Sequence, residues 1–144
     1  MKVVGFNFEE INAKKTNEFK RSNINTEVTF NDVAKTNLDF LKGEESIKLN
    51  FKFLVTYKDA DNISTELKNE ISIGGSILLV VTKDESKEFL KSWKTKELPK
   101  DKMVGLYNFI LRKCSVKALQ LEEELNLQPH IPFPQVKAQN QPTN

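Results

Sequence analysis

Residues 47–57 constrain this chain more than any other stretch. Ile47, Leu49, Phe51, Phe53, Val55 and Tyr57 fall on one parity, and Lys48, Asn50, Lys52, Thr56 and then Lys58 on the other. A strand sends successive side chains to opposite faces, so this alternation describes a sheet with one buried and one wet face. Parallel strands, covered on both sides, read as continuous apolar runs, so the sheet is antiparallel. Leu54 is the single apolar residue on the wet side.

Three further strands are expected. Ile24 to Phe30 points Ile24, Thr26, Val28 and Phe30 inward. An earlier strand begins near Val4, with Phe6 and Phe8 on one side. Ile11, Ala13 and Phe19 have the opposite parity, so a bulge or bend between about Phe8 and Ile11 would restore the inward face. The fourth strand runs from about Leu67 to Val81. It alternates at Ile71 and Ile73, passes Gly74-Gly75, which read as a bulge within it, and becomes continuous from Ile77 to Val81. A continuous run implies cover on both faces, so Leu78 and Val80 need a partner on the side that is wet elsewhere. The loop at 58–62 turns the third strand into the fourth, and residues 32–46 read as a longer connection.

Thr82-Lys83-Asp84-Glu85 is a capping box that opens a helix to about Lys96, with Phe89, Leu90 and Trp93 on one face. Pro99 separates it from a last helix over roughly Lys100–Asn126. There Tyr107, Leu111, Cys114, Ala118, Leu121 and Leu125 form one stripe, with Met103, Leu106 and Ile110 beside it. The first half is apolar nearly all round, so it needs cover on more than one side. Pro129, Pro132 and Pro134 forbid helix or central strand after it, and Ile131 and Phe133 are expected to lie extended across a surface groove. The fold class is therefore α+β: a four-stranded antiparallel sheet followed by a short and a long helix. One domain covers 1–136 and a flexible polar tail covers 137–144.

Composition narrows the function. The chain has 144 residues, 38% hydrophobic and 29% charged, and a net charge of only +2 with acids and bases interleaved. A dedicated nucleic-acid or membrane-surface binder would segregate its basic residues. The lone Cys114 allows no disulfide within the chain, so a reducing, cytoplasmic setting is expected. No run approaches the roughly 18 apolar residues of a spanning helix, and the N-terminus meets an acid before a signal-peptide core could form.

No catalytic constellation is expected. Cys114 sits within the apolar stripe, where a free thiol packs as a small hydrophobe rather than pairing with His130. One His and one Cys cannot close a metal site, and no cofactor motif is present. Glu122-Glu123-Glu124 spread around the helix and read as a solvated face. Lys91, Lys94, Lys96, Lys100 and Lys102 cluster around Trp93, but Glu88, Glu97 and Asp101 interrupt them, which argues against single-strand binding. The informative set is apolar residues on unexpected faces: Leu54, Leu78, Val80, Phe109, Val116 and Leu119. Such residues mark a subunit interface or a groove for apolar peptide.

The order of elements resembles the SecB-like chaperones, most closely the archaeal SecB-like proteins. The likeness is carried by Ser46-Ile47-Lys48-Leu49-Asn50-Phe51-Lys52-Phe53-Leu54-Val55-Thr56-Tyr57 and Phe89-Leu90-Lys91-Ser92-Trp93. Leu106-Tyr107-Asn108-Phe109-Ile110-Leu111-Arg112-Lys113-Cys114 and Leu125-Asn126-Leu127-Gln128-Pro129 complete it. The resemblance implies a cytosolic holdase without ATP that binds unfolded or nascent polypeptide in apolar grooves between sheet and helices. It also implies a dimer-of-dimers assembly with long helices sandwiched between sheets. It does not extend to the acidic tail that bacterial SecB uses with the SecA motor. The expected client-binding residues are Leu54, Leu78, Val80, Trp93, Leu119, Ile131 and Phe133. Leu106, Phe109, Ile110 and Val116 are expected at the oligomer interface. The alternative is a non-enzymatic oligomeric adaptor with one fixed protein partner, for example one associated with a toxin–antitoxin system.

Overall fold

A computed structural model describes residues 1–16, 22–38, 42–59 and 69–138. Four strands, β1 (Lys2–Lys14), β2 (Ser22–Thr36), β3 (Glu45–Asp59) and β4 (Asn69–Val81), are followed by helices α1 (Lys83–Trp93) and α2 (Lys100–Leu125). The sheet is antiparallel throughout, in the order β1-β4-β3-β2. β3 and β4 are therefore central, and β1 and β2 are the two edges.

The alternation of β3 lies as expected. Ile47, Leu49, Phe51, Phe53, Val55 and Tyr57 are buried on one face, opposite Leu79, Ile77, Gly75, Ile73, Ile71 and Asn69 of β4. Both helices pack over β2, β3 and β4. Phe89, Leu106, Ile110, Cys114 and Ala118 join the inward strand residues in one core. Each large side chain so buried contributes roughly 1.5–3 kcal/mol relative to exposure.

The expected bulge in β1 is present, because the register slips between Phe8 and Glu10, and again between Val3 and Gly5. Phe6, Ile11 and Ala13 thus all face the core side, opposite Ile77, Ile73 and Ile71. The Gly74-Gly75 reading needs correcting. The bulges belong to β1, and the glycine pair lies opposite one of them. A Cβ on Gly75 would collide with the Asn7 carbonyl oxygen and come within 2.9 Å of Phe51 Cζ. Glycine is there for the close approach of a neighbouring strand and ring.

Residues 32–36 and 45–46, expected in a connection, are strand. A bulge between Phe30 and Asp32 resets the parity, so Val33 turns inward and the alternation carries on in the opposite phase. Leu67, Phe19, the loop after Asp59 and the tail beyond Ala138 lie outside the described residues.

Helix boundaries follow local chemistry. The Thr82 hydroxyl accepts from the Glu85 N–H at 3.1 Å and the Glu85 carboxylate accepts from the Thr82 N–H at 3.0 Å, a reciprocal capping box. α2 ends at Asn126, which takes the left-handed conformation (φ 53°). The Leu127 N–H reaches the Glu122 carbonyl at 2.8 Å and the Asn126 N–H reaches that of Glu123, a Schellman ending that turns the chain back.

Candidate functional site

Two clusters stand out, one apolar and open, one polar and closed. The first lies at the β1 edge. Phe6 stacks on Phe51 of the core at 5.5 Å between ring centres and meets Phe8 (5.0 Å) and Phe109 of α2 (5.7 Å) edge-on. Lys113 lies 5.9 Å above the Phe6 ring and 5.8 Å above Phe109, while Arg112 approaches Phe109 from 5.7 Å. Because the helices lie over the other three strands, neither α1 nor α2 covers the far half of β1 on its apolar side. Phe8 remains 38% and Ile11 43% exposed. A cation above an aromatic face is an attractive, geometrically tolerant contact. An extended apolar segment could add to this aromatic surface with its charges paired to the lysine and arginine.

The second cluster lies where α2 ends. Ser115 and Glu122 are seven residues apart, two turns along one side of the helix. The Schellman turn buries Leu127 and brings His130 back between them. His130 Nδ1–H donates to Glu122 Oε1 at 2.8 Å, since a carboxylate can only accept, and Nε2 meets the Ser115 hydroxyl at 3.1 Å. The Tyr57 hydroxyl donates to the other Glu122 oxygen. The Glu122 and His130 side chains are each 1% exposed, and the imidazole rests edge-on against Phe53. Burial, then the Glu122 carboxylate, push the Tyr57 phenol well above its ordinary range, so it stays a donor. Glu122 also faces the negative end of the α2 dipole, which its two donors offset.

Ser115, His130 and Glu122 follow the order nucleophile, base, orienting acid. The N–H of Ser115 itself is not free to hold a developing oxyanion. Ser115 sits mid-helix with its N–H committed to the helical ladder. The arrangement instead clamps a returning strap of chain onto the body through side chains alone. The Ser115 hydroxyl can donate to a neutral ring or accept from a protonated one, so the clamp keeps its hydrogen bonds in either state.

The expected site residues do not converge. Leu54, Leu78 and Val80 are half-buried on the face of the sheet away from both helices, so neither α1 nor α2 covers them. The partial cover of Leu78 comes from its neighbours in the sheet, Gly5 and Lys48. Leu106 and Ile110, expected at an interface, are fully buried against the chain's own sheet, because the α2 core line runs at every fourth residue from 106. Phe109 belongs to the open aromatic cluster. Val116 is 60% exposed and Leu119 half-buried. Trp93 packs at the rim of the core with Lys96 5.0 Å above its ring. Ile131 and Phe133 are exposed on the strap beyond His130.

The Lys cluster around Trp93 is partly consumed locally. Lys102 pairs with Glu85 at 2.7 Å, and that pairing holds the Glu85 carboxyl down at about 2. Cys114 is buried, and desolvation pushes its thiol up to about 12, so it packs as an apolar side chain. Among the described residues, no three His, Cys, Asp or Glu side chains gather where they could hold a metal ion, and no helix is long and apolar enough to cross a membrane. A polar cavity of about 330 Å³ is lined by Lys35, Thr36, Ser46 and the chain to either side of residues 39–41.

The expected solvated face of Glu122-Glu123-Glu124 needs correcting, since Glu123 and Glu124 are exposed but Glu122 is buried; Phe8 and Ile11 were expected in the strand but not as site residues. The signal for Glu122 was available: the core line Leu106, Ile110, Cys114, Ala118 reaches it at the next step of four. Nothing local marks His130. No protein-family model matches the chain, and neither does any curated protein or solved structure.

Proposed function

We propose that the chain is an ATP-independent holdase of the SecB-like kind, which keeps unfolded or nascent polypeptide apolar-side-in against its own surface in the cytoplasm. The observation that carries this reading is the uncovered aromatic shoulder of Phe6, Phe8, Ile11 and Phe109 under Lys113. It is apolar surface at the β1 edge of the sheet, where Phe8 and Ile11 stay 38% and 43% exposed while Phe109 and Lys113 of α2 reach only Phe6 among the described residues. Apolar contact removes roughly 25 cal/mol from the free energy for each Å² hidden from water, so several client side chains are needed for useful affinity. The α+β layout, a sheet followed by a short and a long helix, supports the same reading.

Suppression of aggregation of a reduced, unfolded client is the test. Suppression at stoichiometric chaperone, lost when Phe8 and Ile11 become serine, is the expected result. A native chain that leaves aggregation unchanged would refute the proposal.

A second reading, a homo-oligomeric adaptor with one fixed partner, is favoured by Val104 and Val116 of α2, which are 65% and 60% exposed. Dye binding separates the two. An adaptor that buries these valines and the β1 shoulder in its assembly binds an apolar fluorescent probe only weakly.

A further inference from the structure

We propose that the strip beside α2 now filled by Leu127–His130 is itself a peptide-binding subsite, occupied by the chain's own strap. This rests on the holdase reading and names what its clients must offer. The strap has the chemistry of an unfolded segment. It is neither helix nor strand, and three prolines hold it extended. It buries one apolar side chain, Leu127, and three residues later one donor-bearing ring, His130. After that it lets go: Ile131, Phe133 and Val136 are all exposed.

Apart from the Leu127 N–H in the helix ending, no backbone group of the strap from 128 to 138 bonds to the body among the described residues. The attachment consists of side chains dropping into places that the body supplies: Phe53 below the ring, Glu122 and Ser115 at its two nitrogens, Tyr57 on the far carboxylate oxygen. An extended segment with an apolar residue followed, three positions on, by a histidine can make the same contacts, since only an imidazole offers two ring nitrogens to Glu122 and Ser115.

The strap is tethered to α2 at Asn126, so it competes at an effective concentration on the order of millimolar. A short free peptide therefore loses to it. A long client that also grips the β1 shoulder gains a second attachment and can displace it. The two clusters thus act as two halves of one client requirement, the open half admitting and the closed half selecting.

The test uses full-length protein and a fluorescein-labelled peptide with the sequence of residues 126–138, followed by anisotropy. The native chain is expected to bind it weakly. The full-length His130→Ala chain, its strap loosened, is expected to bind it at least about tenfold more tightly, the loss of one charge-assisted hydrogen bond in cis being made good in trans. A control peptide carrying His130→Ala should lose that gain. If the folded His130→Ala chain binds the peptide no better than native, the proposal is overturned. Should His130→Ala fail to fold, Leu127→Ala weakens the strap's other anchor and leaves the body's side of the subsite intact, so a gain of about tenfold is again expected; no gain overturns the proposal as well. Hydrogen exchange on native protein with reduced, carboxymethylated lactalbumin provides the second readout. Client bound with the Leu127 amide exposed to exchange supports displacement, and client bound with Leu127 still protected overturns it. A client that binds no variant refutes the holdase reading, while the peptide titration still decides the subsite.

Discussion

The aromatic shoulder at β1 and the polar cluster at the end of α2 share one face of one sheet, yet they are built on opposite rules. At the shoulder, apolar rings stay half open to water, with a lysine and an arginine around them. At the helix end, a carboxylate, an imidazole and a phenol are shut away, and each finds hydrogen-bond partners. Buried polar groups persist only when satisfied, because each orphan costs about 1–3 kcal/mol and a broken buried ion pair more. Open apolar surface carries no such demand for partners, and for that reason it is free to meet another molecule. The comparison predicts that the shoulder can change with little effect on stability, whereas the helix end holds the fold and yields only to a segment that replaces the hydrogen bonds it loses.

Four changes would break or sharpen that division. Glu122→Ala takes the buried carboxylate away from Tyr57 and His130 at once and should cost about 3–5 kcal/mol in urea unfolding, with Glu122→Gln milder. If Glu122→Ala costs under about 1 kcal/mol, the cluster is not the fixed point of the fold. Gly75→Ala should cost about 2–3 kcal/mol, because Asn7 of β1 must move away from the new methyl. Hydrogen exchange should then show β1 loosening ahead of β3, and uniform loosening would contradict the placement of the strain. Phe8→Ser with Ile11→Ser should leave the melting temperature within a few degrees of native while abolishing client capture; a large stability loss would move the shoulder into the core.

The smallest effect is expected from pH. Glu85 is held at about 2, chiefly by Lys102 and then by the Thr82 N–H, against an ordinary value of 4.5. A lowered carboxyl contributes stability that is complete above pH 4.5 and is lost as pH falls from there towards 2. The pair is partly exposed, so the loss should stay under about 1 kcal/mol. Lys102→Met should flatten the acid limb of the stability curve, and an unchanged limb would remove this pair from the account.

Much of the architecture was legible in the sequence because it rests on local rules. The parity of β3, the slip in β1 between Phe8 and Ile11, the capping box at Thr82 and the end of α2 near Asn126 each follow from neighbours a few residues apart. What was illegible depended on placement. Strand order makes β1 an edge, and only an edge leaves Phe8 and Ile11 uncovered. The parity of β4 puts Leu78 and Val80 on the side away from α1 and α2, where their continuous run suggested a second layer. Among three successive glutamates, only the helix phase set by distant contacts decides which one goes inside. His130 needed a chain reversal and a stack on Phe53 that no spacing announces.

The sheet order also has a consequence in time. β2 with β3, and β3 with β4, are neighbours in sequence and can zip as successive hairpins. β1 must wait, since Phe6 finds Ile77 only after the whole of β2, β3 and most of β4 has been made. Closing so long a loop is slow compared with hairpin formation, so the first strand docks late and folding is governed by this one non-local pairing. Until then its phenylalanines are as exposed as those of any unfinished chain.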